Sequence, residues 1–267
     1  MSIERGDLLR RITQAVQERL AQEPPAVGLE RRARQAAGVR RRGGARGLRQ
    51  ALTSPGVRII AECKRRSPSA GYFRRRFEPV DLARSYQSGG AAAISVVTEP
   101  QFFAGQIGWV RVVRDAVAVP VLQKDFLIAP RQLFEAAIVG ADAVLLVTRI
   151  LPGGLLPEML AIAAELELEV LLEAHDEDDL DRAIDLRAQL IGINSRDLAS
   201  FRVDLQGAAR LAALVPPDRV VVIESGIGSC DDVRTLQARG LRHFLVGEHL
   251  LRSDDPERAL RELITCP

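Results

Sequence analysis

Apolar residues along this chain fall into two alternating patterns. Short, largely continuous runs of aliphatic and β-branched residues recur at 58–63 (RIIAEC), 92–97 (AAISVV), 119–124 (VPVLQK), 141–147 (ADAVLLV), 168–173 (LEVLLE), 188–194 (AQLIGIN), 219–224 (RVVVIE) and 242–247 (RHFLVG). Runs of this length read as strands covered on both faces. Between them lie PVDLARSYQSGG, PRQLFEAAIVG, LLPEMLAIAAELE, EDDLDRAIDL, DDVRTLQARG and PERALRELI, which carry apolar residues at helical spacing, several ending at glycine. A strand followed by a helix, eight times over, implies parallel βαβ units. An open doubly wound sheet is the competing arrangement, but no GxGxxG follows the first strand. The expected fold is therefore α/β, a single (β/α)8 TIM barrel over residues 51–267. The chain's 267 residues and 47% apolar content suit a barrel of about 250 residues. The repeated GGAAAIS, GADAVLL and GLRHFLV are helix-ending glycines feeding buried strands, an architectural echo.

Residues 1–50 precede the first strand and form an N-terminal basic extension. One amphipathic helix is expected from Leu8 to Leu20, followed by QEPPAVG and the Arg/Gly-rich RRRGGARG. The extension holds twelve Arg against five acids (+7), which leaves −5 for residues 51–267 out of a total of +2. No aromatic residue is interleaved with Arg31, Arg32, Arg34 and Arg40 to Arg42 for base stacking, so a solvated helix and linker is expected there, and no nucleic-acid partner. No apolar run approaches the roughly 18–20 residues of a membrane span, and MSIERGDLLRRIT lacks the apolar core of a secretory signal. A cytoplasmic protein without a membrane partner is expected. Cys63, Cys230 and Cys266 are odd in number and widely spaced, which reads as three free thiols. His175, His243 and His249 follow no metal-ligand pattern, so no metal is expected.

The basic residues change the picture more. Thirty-five of 37 are Arg, and only Lys64 and Lys124 are Lys. A lysine retained in such a chain suggests a task that needs a transferable proton, which Arg does not supply. Barrel active sites lie at the C-terminal ends of the strands, and here those ends carry functional groups. The first strand ends Glu62-Cys63-Lys64, with Glu62 and Lys64 on one face by alternation. The third ends at Lys124, the fifth at Glu173, the sixth at Asn194 and the seventh at Glu224. Convergence of two ammonium groups and three carboxylates would shift their pKa values toward acid–base work. Glycines after the seventh strand (Ser225-Gly226-Ile227-Gly228-Ser229) and the eighth (Val246-Gly247-Glu248-His249) suit backbone binding of a phosphate, and Ser67 adds a hydroxyl. Phe102, Phe103 and Phe126 lie just past the second and third strands, where they would wall an aromatic substrate or serve in packing. His175 and Asp176 to Asp179 open a helix, and dipole complementarity accounts for the acids.

At this point IIAECKRRSPSAG, GGAAAISVVTEPQFFAGQ, VLQKDF, GADAVLLV, IGINSRDL, ESGI and LVGEHLL, in this order, resemble the indole-3-glycerol phosphate synthase family of tryptophan biosynthesis from about residue 56 to 264. The resemblance implies a cofactor-free carboxy-lyase acting on a small phosphorylated substrate: 1-(2-carboxyphenylamino)-1-deoxyribulose 5-phosphate closes to indole-3-glycerol phosphate, with loss of CO2 and water. It implies Lys124 as the acid of ring closure, Lys64 on the substrate carboxylate and as an acid in dehydration, and Glu173 as the partner acid or base. Glu62, Asn194 and Glu224 would position these groups. Arg196 would help to bind an anionic group, and Ser67, Ser225, Gly226, Gly247 and Glu248 would hold the phosphate. Phe103 and Phe126 would flank the anthranilate ring beside Leu145 and Leu198. The first 50 residues match poorly, and Leu48 stands in GLRQAL where Phe is usual, so whether residues 1–50 take the covering role of the family's N-terminal helix is left open. A monomer or weak oligomer is expected, with a second tryptophan-pathway enzyme left open as a partner.

Two other readings compete. A phosphoribosylanthranilate isomerase would use a Cys and Asp pair, but Cys63 should face outward between Glu62 and Lys64. A non-catalytic barrel paralogue is disfavoured by the intact Lys64, Lys124 and Glu173.

Overall fold

The computed structural model describes residues 8–24, 27–42, 44, 46–197 and 200–266. Eight parallel strands close a barrel: β1 (Arg58–Cys63), β2 (Ala93–Val97), β3 (Val121–Lys124), β4 (Ala143–Val147), β5 (Glu169–Ala174), β6 (Leu190–Asn194), β7 (Val220–Glu224) and β8 (His243–Val246). Each pairs with its sequence neighbour, and β8 closes onto β1 through registers such as Ile59 with Phe244. All eight expected strands and the six expected barrel helices are present. The helices are α4 (Pro79–Ser88), α6 (Pro130–Val139), α7 (Leu155–Glu165), α8 (Glu177–Asp185), α10 (Cys230–Gln237) and α12 (Pro256–Ile264), joined by α5 (Gly108–Ala116), α9 (Leu205–Ala212) and the short α11 (Glu248–Arg252). Helix starts are fixed locally. Asp176, Asp204, Ser229 and Asp255 each accept a backbone N–H three residues on, which satisfies a donor the helix cannot.

The strands sort their side chains by alternation. One face supplies Ile59, Ala61, Cys63, Ile94, Val96 and Val144 to the layer between barrel and helices, and Cys63 faces outward as expected. The other face fills the barrel with Ile60, Leu122, Ala143, Leu145, Leu171, Val222 and Leu245. Two interior positions are glycine because a neighbour needs their space. A Cβ on Gly192 would collide with Glu224 Oε1, and one on Gly247 with Glu62 Oε1.

The N-terminal extension departs from expectation. Its first helix is present as α1 (Leu8–Gln22), but α2 (Leu29–Arg42) and α3 (Leu48–Leu52) follow it. Helix α2 is not a solvated linker. Ala33 and Ala37 are buried, and Arg40, 8% exposed, donates to Ala137 O (2.8 Å) and Leu166 O (2.6 Å), carbonyls at the C-terminal ends of α6 and α7. Arg34 and Arg41 pair with Glu165 and Glu167 of the barrel body. Helix α3 closes the N-terminal end of the barrel, with Leu48 and Leu52 fully buried in the interior cluster. The unusual Leu48 thus belongs to the bottom plug, at the end opposite the strand-end lysines. The expectation of three free thiols is also corrected. Cys230 at the start of α10 bonds to Cys266 beyond α12, and only Cys63 of the three is free. A pairing across 36 residues leaves no mark in the spacing. No described helix is long and apolar enough to cross a membrane.

Truncating the plug should cost stability without touching the chemistry. Leu52→Ala is expected to lower the unfolding free energy by about 2–5 kcal/mol in urea, with turnover per folded molecule retained. An unchanged midpoint would remove α3 from the folding core.

Candidate active site

The C-terminal strand ends open into a cavity of about 460 Å³. Glu62, Lys64, Ser67, Phe103, Lys124, Phe126, Leu145, Glu173, Asn194, Arg196, Glu224, Ser225, Gly226, Gly247 and Glu248 all line it. Leu198 lies outside the described residues.

Odd-numbered strands aim the charged groups at one another because their inward positions end at the same layer. Lys64 Nζ donates to Glu62 Oε1 at 2.5 Å, and both side chains are largely buried. Lys124 Nζ stands 3.4 Å from Glu224 Oε2 and 3.8 Å from Glu173 Oε2. Asn194 Nδ2 donates to Glu173 Oε1 (3.4 Å), while its Oδ1 accepts from the Arg196 backbone (3.0 Å). Arg196 also donates to Phe201 O and lies 3.5 Å from Glu248, so its guanidinium is held across the β6 and β8 loops.

Two ammonium groups and three buried carboxylates do not balance if all are ionised. Burial disfavours charge on Glu62, but Lys64 and then Lys124 outweigh it and hold its pKa below the usual range. Glu173 is likewise held low: burial is opposed first by His175, then by Lys124 and the Asn194 hydrogen bond. Glu224 goes the other way. Burial, against the pull of Lys124 and reinforced by the Glu173 charge, pushes it up to about 8. Near neutral pH the cluster is two ammoniums, two carboxylates and one carboxylic acid. Burial works to discharge Lys124, but Glu224, Glu173 and Glu62 overcome it and keep its pKa above the ordinary lysine value. The shift expected toward acid–base work therefore falls on Glu224. Lys124 remains a charged donor.

Ser225 and Gly226 adopt left-handed backbone (φ 69° and 76°), which turns the chain sharply after β7. Ser195 Oγ donates to Ser225 O (3.0 Å) and anchors the turn. With the Ser67 hydroxyl and the Gly247–Glu248 segment, this loop forms the polar side of the cavity. The opposite side is apolar. The Phe103 and Phe126 rings lie 6.2 Å apart and tilted by 34°, beside Leu145.

Sequence reasoning missed Leu8, Glu99, Asp125 and Phe201, which also line the cavity, as does His249 of the stretch after β8. Leu8, Ile12 and Val16 of α1 pack on Phe102, Phe103, Phe126 and Phe201, so the extension covers the mouth. Phe102 serves that packing and does not line the cavity. Glu99, 1% exposed, accepts from the backbone N–H groups of Gln101, Phe102 and Phe103 and so orders the loop that presents Phe103. The Asp125 carboxyl is pushed up to about 6 by burial, against donors from Thr98 Oγ1 (2.6 Å) and the Phe126 backbone. Asp176 caps α8 as the dipole argument anticipates, but His175 points to Glu173, with Nε2 3.1 Å from Oε1.

The indole-3-glycerol phosphate synthase family profile matches residues 9–263, so the relationship extends well into the extension. An indole-3-glycerol phosphate synthase of Desulfosudis oleivorans is 44% identical over 221 residues, 83% of this chain and 84% of the relative. One of Rhodopirellula baltica is 48% identical over 208 residues, 78% of this chain and 80% of the relative. Among solved structures, a thiamine phosphate pyrophosphorylase from Pyrococcus furiosus gives a TM-score of 0.61 over 82% of this chain and 97% of that one. At 20% identity that likeness shows the barrel alone. A near-complete family match, relatives of almost the same length and a cavity built from the strand-end lysines and carboxylates lead to one conclusion: this chain belongs to the indole-3-glycerol phosphate synthase family.

Proposed function

We propose that this cavity closes the indole ring of 1-(2-carboxyphenylamino)-1-deoxyribulose 5-phosphate, giving indole-3-glycerol phosphate, CO2 and water. One observation carries the reading: Lys124 lines the cavity within ion-pair distance of both Glu173 and Glu224. The substrate spans the cavity with its aromatic ring between Phe103 and Phe126. Its phosphate lies against Ser67, the Ser225–Gly226 turn and the Gly247–Glu248 segment. Lys64 and Arg196 meet the anionic groups of the substrate, and this orientation brings the ketone to Lys124.

Ring closure joins the aryl carbon that bears the carboxylate to the ketone carbon. Negative charge gathers on the ketone oxygen, and Lys124 donates a proton to it. The neighbouring carboxylates make Lys124 a reluctant acid in the empty cavity, so the proton moves only as the oxygen becomes an alkoxide. Loss of CO2 restores the aromatic ring. The new hydroxyl then leaves as water with a proton from Lys64, while Glu173 takes the proton released as the indole double bond forms. Glu62 holds Lys64 in place, and Asn194 holds Glu173. The Glu224 carboxylic acid limits the negative charge around Lys124. No cofactor enters any of these steps. Localisation in the cytoplasm and a monomeric or weakly associating state complete the reading.

The purified protein is expected to convert the carboxyphenylamino-deoxyribulose phosphate into a product with indole fluorescence. Lys124→Arg, which keeps the charge but scarcely releases a proton, should lower kcat by about 10²–10⁴. Undiminished turnover in that variant would remove Lys124 from proton transfer, and no turnover in the wild type would overturn the reading itself. Gly192→Ala tests the packing that seats the cluster. The added methyl displaces Glu224, so kcat should fall at least about tenfold while the fold is retained by circular dichroism, and wild-type kcat would contradict the seating.

A further inference from the structure

His175 is nearly as deeply buried as the catalytic carboxylate, yet it takes no part in the mechanism above. It lies two residues beyond Glu173, in the bend just past the end of β5. Their side chains are 5% and 4% exposed, and His175 does not line the cavity. It stands behind Glu173, with Nε2 3.1 Å from Glu173 Oε1 and Nδ1 3.8 Å from Asp179 Oδ2. Asp179 is itself fixed by Arg149 Nε (2.8 Å) and by the His175 backbone N–H (3.1 Å). Neither ring nitrogen completes a hydrogen bond, so a buried donor faces a buried carboxylate with its bonding capacity unspent. On the cavity side, Glu173 meets Lys124 from β3, Asn194 from β6 and Glu224 from β7. The groups facing His175 are Glu173, Asp179 from α8, Arg149 from the turn after β4, and Lys124.

We propose that His175 is a positioning residue for Glu173, holding Oε1 from outside the cavity so that Oε2 faces Lys124 and the substrate. This rests on the ring-closure reading and deepens it. A slight turn of the imidazole brings Nε2–H onto Oε1. The proton released as the indole forms is then taken up by Oε2, because Oε1 is already engaged. Burial lowers the pKa of His175, and Glu173 opposes that shift. The ring therefore acts near neutral pH as a neutral hydrogen-bond donor. Hydrogen bonding to a carboxylate favours its charged form, so His175 keeps Glu173 ionised to lower pH than Lys124 and Asn194 would do by themselves.

The test compares His175→Leu, which removes the donor, with His175→Gln, which keeps an N–H of similar reach. In His175→Leu, kcat should fall about tenfold with KM within about twofold, and the acid limb of the kcat profile should move up by about half a pH unit or more. His175→Gln should recover most of kcat and return the limb. A purely structural role would lower thermal stability but leave the limb in place, and that result overturns the proposal. A second measurement needs no turnover. In the NMR titration of the imidazole, Glu173→Gln should lower the His175 midpoint by about half a unit or more, since the carboxylate that favours its charged form is gone. An unmoved midpoint also overturns the pairing, even if His175→Leu fails to fold. A wild type without turnover would remove the ring-closure reading and leave the imidazole titration decisive for the contact.

Discussion

The barrel mouth depends on one electrostatic constraint: two ammonium groups and three carboxylates share a space largely closed to water. An unpaired buried charge is costly, so such a cluster persists only near neutrality. Lys64 and Glu62 cancel each other. Lys124 is balanced by Glu173, and Glu224 keeps a proton because a third negative charge would find no counterpart. The backbone gives way to this arrangement. β6 carries glycine at 192 because Glu224 occupies the space a side chain would need, and Gly247 does the same for Glu62. Proton transfer thus begins from a neutral set, and an incoming ketone adds no charge until the ring closes. In the proposed reaction the alkoxide that then forms is new negative charge on the ketone oxygen, and Lys124 is the donor assigned to answer it.

The N-terminal extension serves both ends of the same barrel. Leu48 and Leu52 of α3 plug the bottom, while Leu8, Ile12 and Val16 of α1 pack on the phenylalanines that wall the cavity. Between them α2 is bound along the flank by Arg40, whose guanidinium donates to carbonyls at the C-terminal ends of α6 and α7. Cover, strap and plug come from one segment whose arginine-rich composition disguises all three. Arg34, Arg40, Arg41 and Arg46 bind this segment to the barrel body.

The barrel was legible because period carries its signal. Buried parallel strands appear as continuous apolar runs, and their polar ends mark the cavity-lining layer, so fifteen of the sixteen expected site residues fall on one cavity. What was illegible has local physical causes. The buried face of α2 is Ala33, Ala37 and Arg40, small or charged residues that an apolar count passes over although their spacing is helical. Glu99 matters through three backbone donors from a loop that folds back on it, an arrangement that exists only in three dimensions. The Cys230–Cys266 bond spans an arbitrary separation. His175 sits among the acids of a helix start, where capping accounts for Asp176 and masks the ring that turns toward Glu173.

The most direct measurement of the central claim is the carboxyl C=O stretch in the infrared spectrum of the unliganded protein near pH 6.5. Charge balance at the mouth predicts a protonated carboxylic acid band that loses its larger part in Glu224→Gln, leaving the smaller contribution of Asp125, and that fades as pH rises through about 8. A spectrum with no such band in the wild type, or one that Glu224→Gln leaves untouched, would contradict it.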